Sequence, residues 1–223
     1  GHYDQPGWVN WKIDLLGDLD IHGCEIVDNM ADLGHMIPIH GAQECIYFAN
    51  RFDGHVVHQY FRVLNRGWLG DDATPSELDT WYTGPGILQS RMDSHMPAFM
   101  MVANTPIDDG RTRVWHALMV RMNDGSRPLT KEERASAFDY QEMLRLGLVQ
   151  DIEIWANKEF CVNPLAVPAD GPYGKLRTWY RQFFNDRARA AEIQQRVNGF
   201  VVTLDDGEGP PLPAQTRAEL SPA

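Results

Sequence analysis

Apolar positions change their rhythm along this chain. Near the start, Trp8-Val9-Asn10-Trp11-Lys12-Ile13-Asp14 reads as a short strand over 8–14. Ile26, Val27, Met30 and Leu33 then recur near helical spacing and predict a helix over 23–36. From about residue 43 the pattern becomes that of strands, with candidates at 44–49, 55–63, 78–82, 98–104 and 113–122. Asp53-Gly54, Asp109-Gly110 and Asp124-Gly125 supply turn chemistry between them. Strands joined by short turns favour an antiparallel sheet over βαβ units. Thr130, with Glu133 three residues on, has the form of a capping box. A helical pattern follows to about Phe160, with a break expected near Gly147 and Pro164 closing it. A second helix is expected over 174–189. The order predicts an α+β fold, a curved antiparallel sheet gripping a long C-terminal helix with a cavity between them.

The 223 residues suit one domain, placed at 1–204. Asp-Asp-Gly-Glu-Gly-Pro-Pro-Leu-Pro then opens a flexible Pro/Gly-rich tail over 205–223. The chain begins at Gly1 rather than Met and reads as a piece of something longer. Neither a membrane span nor a secretory signal shows. A net charge of −11 repels phosphate backbones and argues against a nucleic-acid partner. Cys24, Cys45 and Cys161 are scattered, odd in number and form no C-x₂-C pair. That argues against a disulfide framework, suggests a reducing, cytoplasmic compartment, and leaves no place for an iron–sulfur cluster within this chain.

The sharpest chemistry lies in the segment from Glu25 to His40, where Asp28, Asp32, His35 and His40 gather. On a regular helix Asp28 and Asp32 are i,i+4 and Asp32 and His35 are i,i+3, so they share a face. His35 and His40 would stand roughly 140° apart at about 100° per residue. Pro38 breaks the helix between them and lets His40 swing back. Downstream, Leu144, Leu148 and Trp155 line one helical stripe, and Asp151 falls within it while Glu153 does not. A carboxylate on a core-facing stripe needs a metal or a charge as partner. Two His and one carboxylate form the facial triad of non-haem Fe(II) sites. The plainer alternatives are Asp28 and Asp32 as cap or surface residues and Asp151 paired with a buried Arg.

Asp28-x₃-Asp32-x₂-His35-x₄-His40 resembles the iron motif of Rieske oxygenase catalytic domains. Three further segments are similar to 3-ketosteroid 9α-hydroxylase oxygenase subunits: Val149–Trp155 with Asn163-Pro164-Leu165, Leu176–Phe184, and Asn10-Trp11-Lys12 at the start. The resemblance spans roughly residues 8–187. It implies a helix-grip fold, START-like or Bet v 1-like. It implies Fe(II) held by His35, His40 and Asp151, Asp32 as the bridge by which electrons enter, and Asn29 near the iron without being a standard ligand. It implies a hydrophobic, steroid-like substrate hydroxylated with O₂, Rieske/ferredoxin and reductase electron donors, and admits a homotrimer. Two departures stand out. Met36-Ile37-Pro38-Ile39 occupies a stretch where relatives tend to carry aromatics and no Pro. The C-x-H and C-x₂-H pairs of a [2Fe–2S] Rieske centre are absent, which places that cluster on a missing domain or a partner. The competing reading is a helix-grip domain that binds an apolar ligand without redox chemistry.

Other features carry less. Trp155, Trp179, Tyr180, Phe183 and Phe184 are expected mainly in the core, as are Met96, Met100, Met101, Met119 and Met122. His55, His58, His95 and His116 lie on strand-like segments, with His116 a candidate to face the cavity.

Overall fold

Hairpin after hairpin, the stretch from 44 to 121 builds a sheet in which each strand pairs with the next. The computed structural model describes residues 3–64, 75–94, 96–167, 169–205 and 207. Within these, β1 (Trp8–Leu19), β2 (Glu44–Asp53), β3 (Val56–Leu64), β4 (Pro75–Tyr82), β5 (Ile87–Asp93), β6 (Ala98–Asp108), β7 (Arg111–Arg121) and β8 (Gly199–Asp205) form one antiparallel sheet. Its order is β1-β7-β6-β5-β4-β3-β2-β8. The helices are α1 (Gly23–Val27), α2 (Lys131–Trp155), α3 (Tyr173–Arg181) and α4 (Ala190–Val197). Long helix against antiparallel sheet is the expected α+β, helix-grip arrangement.

Two strands escaped the pattern. β5 is the mixed run Ile-Leu-Gln-Ser-Arg-Met-Asp, poor in β-branched residues and paired on both sides, to β4 and β6. β8 follows α4 through Gly199 at φ 132° and closes the sheet edge against β2. β1 runs five residues past the expected end at 14, because its register shifts between Leu15 and Gly17, where Gly17 has φ 123° and hides the alternation. Apart from Asp205 and Gly207, the expected tail lies outside the described residues, as does His95.

Helix α2 is continuous through Gly147; the expected break does not occur. Its end is Trp155 rather than Phe160, where the Asn157 side chain donates to the Glu153 carbonyl at 2.9 Å, and Pro164 has no part in it. The capping box at its start is complete. Thr130 Oγ1 accepts from Glu133 N–H at 3.1 Å, and Glu133 Oε2 accepts from Thr130 N–H at 2.9 Å. Gln141, fully buried on α2, donates to the carbonyls of Asn10 (3.2 Å) and Leu118 (2.7 Å). The first of these lies where β1 shifts register between Val9 and Lys12, so an amide from the helix satisfies a carbonyl beside the bulge. Ala137 and Tyr140 of α2 then pack with Val9, Leu118 and Val120.

The helix expected over 23–36 is much shorter. α1 gives way to a 3₁₀ turn at Asp28–Ala31, and Asp32 is already extended at φ −89°, ψ 93°. Competing partners explain the stop. Asn50 and Gln59 side chains donate to the Met30 carbonyl at 2.7 and 3.2 Å, and Gly171 N–H donates to the Ala31 carbonyl at 2.9 Å. A Cβ at Gly171 would stand 2.5 Å from that carbonyl oxygen, so this close approach needs glycine. The helix expected over 174–189 likewise ends at Arg181, where a 3₁₀ turn follows and Asn185 donates to the Arg181 carbonyl at 2.7 Å.

One ion cluster ties these short helices together. Arg177 of α3 bonds both Asp28 and Glu25, and Lys158, just past α2, reaches Glu25 at 2.6 Å. Glu25 is fully buried and Asp28 nearly so. Burial lifts the Asp28 carboxyl above the usual range, against the pull of Arg177. Asp28, grouped in the sequence with Asp32 and the two histidines, therefore belongs to this cluster instead.

Two variants test these constraints. Thr130→Ala should cost about 1 kcal/mol of folding stability through the lost cap, read by denaturant unfolding. Arg177→Met should cost about 3–5 kcal/mol, because it leaves two buried carboxylates short of a partner. A loss below about 1 kcal/mol in the second case would show that the cluster is not needed to hold α3.

Candidate metal centre and its cavity

After Asp32 the backbone makes consecutive turns: Ile39 N–H donates to the His35 carbonyl at 2.9 Å and Gly41 N–H to that of Ile37 at 3.0 Å. Gly41 leaves the segment at φ 66°. These turns, rather than a helix kinked at Pro38, bring His35 and His40 together, with ring centroids 5.0 Å apart. Asp151 meets them from α2. Its Oδ1 lies 3.3 Å from His40 Nε2 and 3.8 Å from His35 Nε2. One donor atom from each of the three residues lies within 4.8 Å of the others.

The far side of each imidazole is held. His35 Nδ1 is 2.8 Å from the Asp32 carbonyl oxygen, which can only accept. The proton therefore sits on Nδ1 and the Nε2 lone pair faces Asp151. His40 Nδ1 faces Gln150 Oε1 at 3.4 Å, a longer contact of the same sense. Two lone pairs and a carboxylate oxygen thus converge, an arrangement that requires a cation between them, a proton or a metal. Burial disfavours the charged form of His40, but the Asp151 carboxylate outweighs it by hydrogen bond and charge, and the pKa stands above the ordinary histidine value. The alternative of Asp151 paired with a buried Arg is not what the structure shows: its ion-pair partners among the described residues are the two histidines.

Asp32 does touch His35, though not across a helix face. Its Oδ1 accepts from His35 N–H at 3.3 Å, and its Oδ2 lies 3.6 Å from His35 Nδ1. Burial would raise the Asp32 pKa, but His35 and, to a lesser degree, the Tyr173 hydroxyl hold it below the usual carboxylate range. Asn29 lines the cavity, and its backbone carbonyl accepts from Gln59 at 3.3 Å.

The histidines and Asp151 open onto a cavity of about 330 Å³. Helix α2 lies backbone-close to β1 and β7 but meets β5 and β6 through side chains, and the cavity lies between it and β3–β6. Its walls are mostly apolar, among them Phe61, Leu78, Met92, Met100, Leu148 and Trp155. Several of its polar side chains are already engaged: Thr80 with Ser90 at 2.8 Å, Ser94 with Tyr140 at 2.9 Å, Tyr82 with Asn104 at 3.3 Å.

Several side chains differ from expectation or had drawn no notice. Met100 lines the cavity and Met119 is core, whereas Met30, Met36, Met92 and Met143 also line it. Trp155 faces the cavity, Trp179 is buried in the core, and Phe184 is 62% exposed. His116 is buried but not in the cavity wall; it sits on β7 with Nδ1 3.8 Å from Asp14, and burial lowers its pKa. His58 pairs with Asp79 at 3.0 Å. Gln150 and Tyr173, which support His40 and Asp32, give no local signal in the sequence beyond Gln150's adjacency to Asp151. A second trio, Cys24, Glu25 and Asp28, is close enough to hold a metal. Its carboxylates already bind Arg177 and Lys158, and burial, with Asp28 beside it, pushes the Cys24 thiol up to about 12.

The family model described as the 3-ketosteroid 9α-hydroxylase C-terminal domain matches residues 1–184. A 3-ketosteroid-9-alpha-monooxygenase oxygenase component of Rhodococcus rhodochrous is 31% identical over 198 residues, covering 82% of this chain and 49% of that protein. The corresponding component of Mycolicibacterium smegmatis (strain ATCC 700084 / mc(2)155) is 30% identical over 191 residues, 81% of this chain and 49% of that protein. The chain spans about half the length of the curated relatives it matches. Among solved structures, the Pseudomonas putida CBB5 NdmA QL mutant with caffeine superposes with a TM-score of 0.58 at 15% identity, over 91% of this chain and 58% of that one, which supports the fold. On the match that runs through most of its length, this chain belongs to the 3-ketosteroid 9α-hydroxylase C-terminal domain family.

Proposed function

We propose that this chain is the catalytic domain of a Rieske-type non-haem iron monooxygenase that hydroxylates a hydrophobic, steroid-like substrate with O₂. Electrons would come from a separate Rieske [2Fe–2S] centre and a reductase. The observation that carries the reading is the meeting of His35 Nε2, His40 Nε2 and Asp151 Oδ1 at the wall of an apolar cavity. His35, His40 and Asp151 would hold Fe(II), since two neutral imidazoles and one carboxylate suit that ion without filling its coordination. Bound there, the iron would supply the activation of O₂.

The chain's own residues have separable tasks. Asp32 and Gln150 fix the His35 and His40 tautomers, so that both Nε2 lone pairs point to one place before any metal arrives. Asp32 also offers the carboxylate through which electrons would pass from a Rieske centre to His35. The apolar walls bind the substrate by displacing water, and they keep water from the reacting centre. Asn29 sits at the cavity wall beside these groups without joining the ligand set. A pure ligand-binding domain would not need three converging donors with ordered outer nitrogens, which favours the enzyme over the binder. The three cysteines stand free, in keeping with a reducing, cytoplasmic compartment.

Protein produced with iron should hold about one Fe per chain, and His35→Ala or His40→Ala should remove it, as measured by metal analysis. Unchanged iron in both variants would overturn the site. Asp32→Asn should keep most of the iron yet lose at least about tenfold in hydroxylation once a Rieske protein and reductase are supplied. Full turnover by Asp32→Asn would remove Asp32 from the electron route.

A further inference from the structure

Glycine inside a helix normally has a backbone reason. Gly147 has none. Helix α2 runs unbroken through it, and Gly147 is absent from the glycines at positive φ. A Cβ built on it would meet nothing within 4 Å, so no neighbouring backbone demands its absence, in contrast to Gly171. Alanine at this position would stabilise the helix. What distinguishes Gly147 is its place. It lines the cavity, one helical turn before Asp151, between Met143 and Leu148 on the same stripe.

We infer that Gly147 is a specificity-determining residue. By lacking a side chain beside the metal-side carboxylate, it leaves room in the α2 wall for the width of a fused-ring substrate. This rests on the cavity being the substrate site. A Cβ here would project from the helix into the space that a rigid ring system would occupy. A flat molecule of one or two rings can avoid that strip of wall; a tetracycle lying along α2 cannot.

The test uses the iron-loaded chain, progesterone as the tetracyclic probe and 2-naphthol as the narrow one, with binding read by calorimetry. Gly147→Ala should raise the melting temperature by roughly 2–4 °C, keep the iron content, and weaken progesterone binding by about tenfold or more. Binding of 2-naphthol should change by less than about twofold, and Gly147→Leu should abolish progesterone binding altogether. Gly174→Ala is the control. This glycine is exposed on α3, and a Cβ there also meets nothing within 4 Å, so its variant should leave both affinities unchanged. Wild-type protein that binds no tetracycle would overturn the steroid-like substrate reading, and this inference with it. Wild-type binding that survives unchanged in both Gly147 variants would overturn the inference alone. A drop in Gly147→Ala melting temperature, with both probes weakened equally, would show a structural role and also overturn it.

Discussion

A carboxylate held in an apolar wall is costly unless positive charge meets it, and Asp151 is such a group, 8% exposed on the stripe that carries Leu148 and Trp155. Its nearest ion-pair partners are two imidazoles whose outer nitrogens are already committed, His35 to a carbonyl oxygen and His40 to Gln150. The trio is electrostatically incomplete while both rings are neutral. A proton on His40 compensates it in part, which is why that pKa rises despite burial. A divalent cation would compensate it more fully and would use both lone pairs. The loop from Asp32 to Gly41, the 3₁₀ turn before it and the seat of α2 on the sheet are all needed to keep these three groups within reach.

That seat is set by features with no chemistry of their own. Gln141 pins α2 to β1 and β7 through two backbone carbonyls, while Ala137 and Tyr140 close the packing beneath it. On the other side the helix reaches β5 and β6 through side chains rather than at backbone distance, and the cavity lies in that wider space. On the opposite flank, Arg177 and Lys158 neutralise Glu25 and Asp28, and Gly171 bonds the Ala31 carbonyl. These interactions end the helical run just before Asp32, so Asp32 is free to turn back on His35.

How much of this the sequence disclosed depends on whether the signal was local. The capping box at Thr130, the five strands expected between 44 and 122 and the inward stripe of α2 follow from periodicity and turn chemistry, and each appears within a few residues of its expected place. His35, His40 and Asp151 were gathered as candidates by their spacing, by a carboxylate on an apolar stripe and, as a set, by resemblance to a family motif, and the structure brings the three side chains together. The reach of the 23–36 helix was overestimated because its apolar rhythm says nothing of Asn50, Gln59 and Gly171, which come from distant strands and loops to claim the carbonyls of Met30 and Ala31. Asp28 was grouped with the histidines for the same reason; its true partner, Arg177, lies 149 positions away. Gln150 and Tyr173 act through side-chain contacts that no period encodes, and β5 hides because its short run Ile-Leu-Gln-Ser-Arg-Met-Asp is poor in β-branched residues and lacks a clean apolar–polar alternation.

Gly147 shows the converse case, where the sequence signal was read correctly as unusual and assigned the wrong cause. A glycine in a helical pattern suggests a break, since backbone freedom is its commonest use. Here the helix could not be broken without displacing Asp151, one turn onward, from His35 and His40. The fold therefore keeps α2 regular through a weak helix former, and hydrogen bonding and packing at Tyr140, Gln141 and Leu148 on either side carry the geometry across it. Continuity of the helix serves the meeting of Asp151 with His35 and His40, absence of a side chain serves the space beside it, and the two demands meet in one residue without conflict because neither asks anything of the other's atoms.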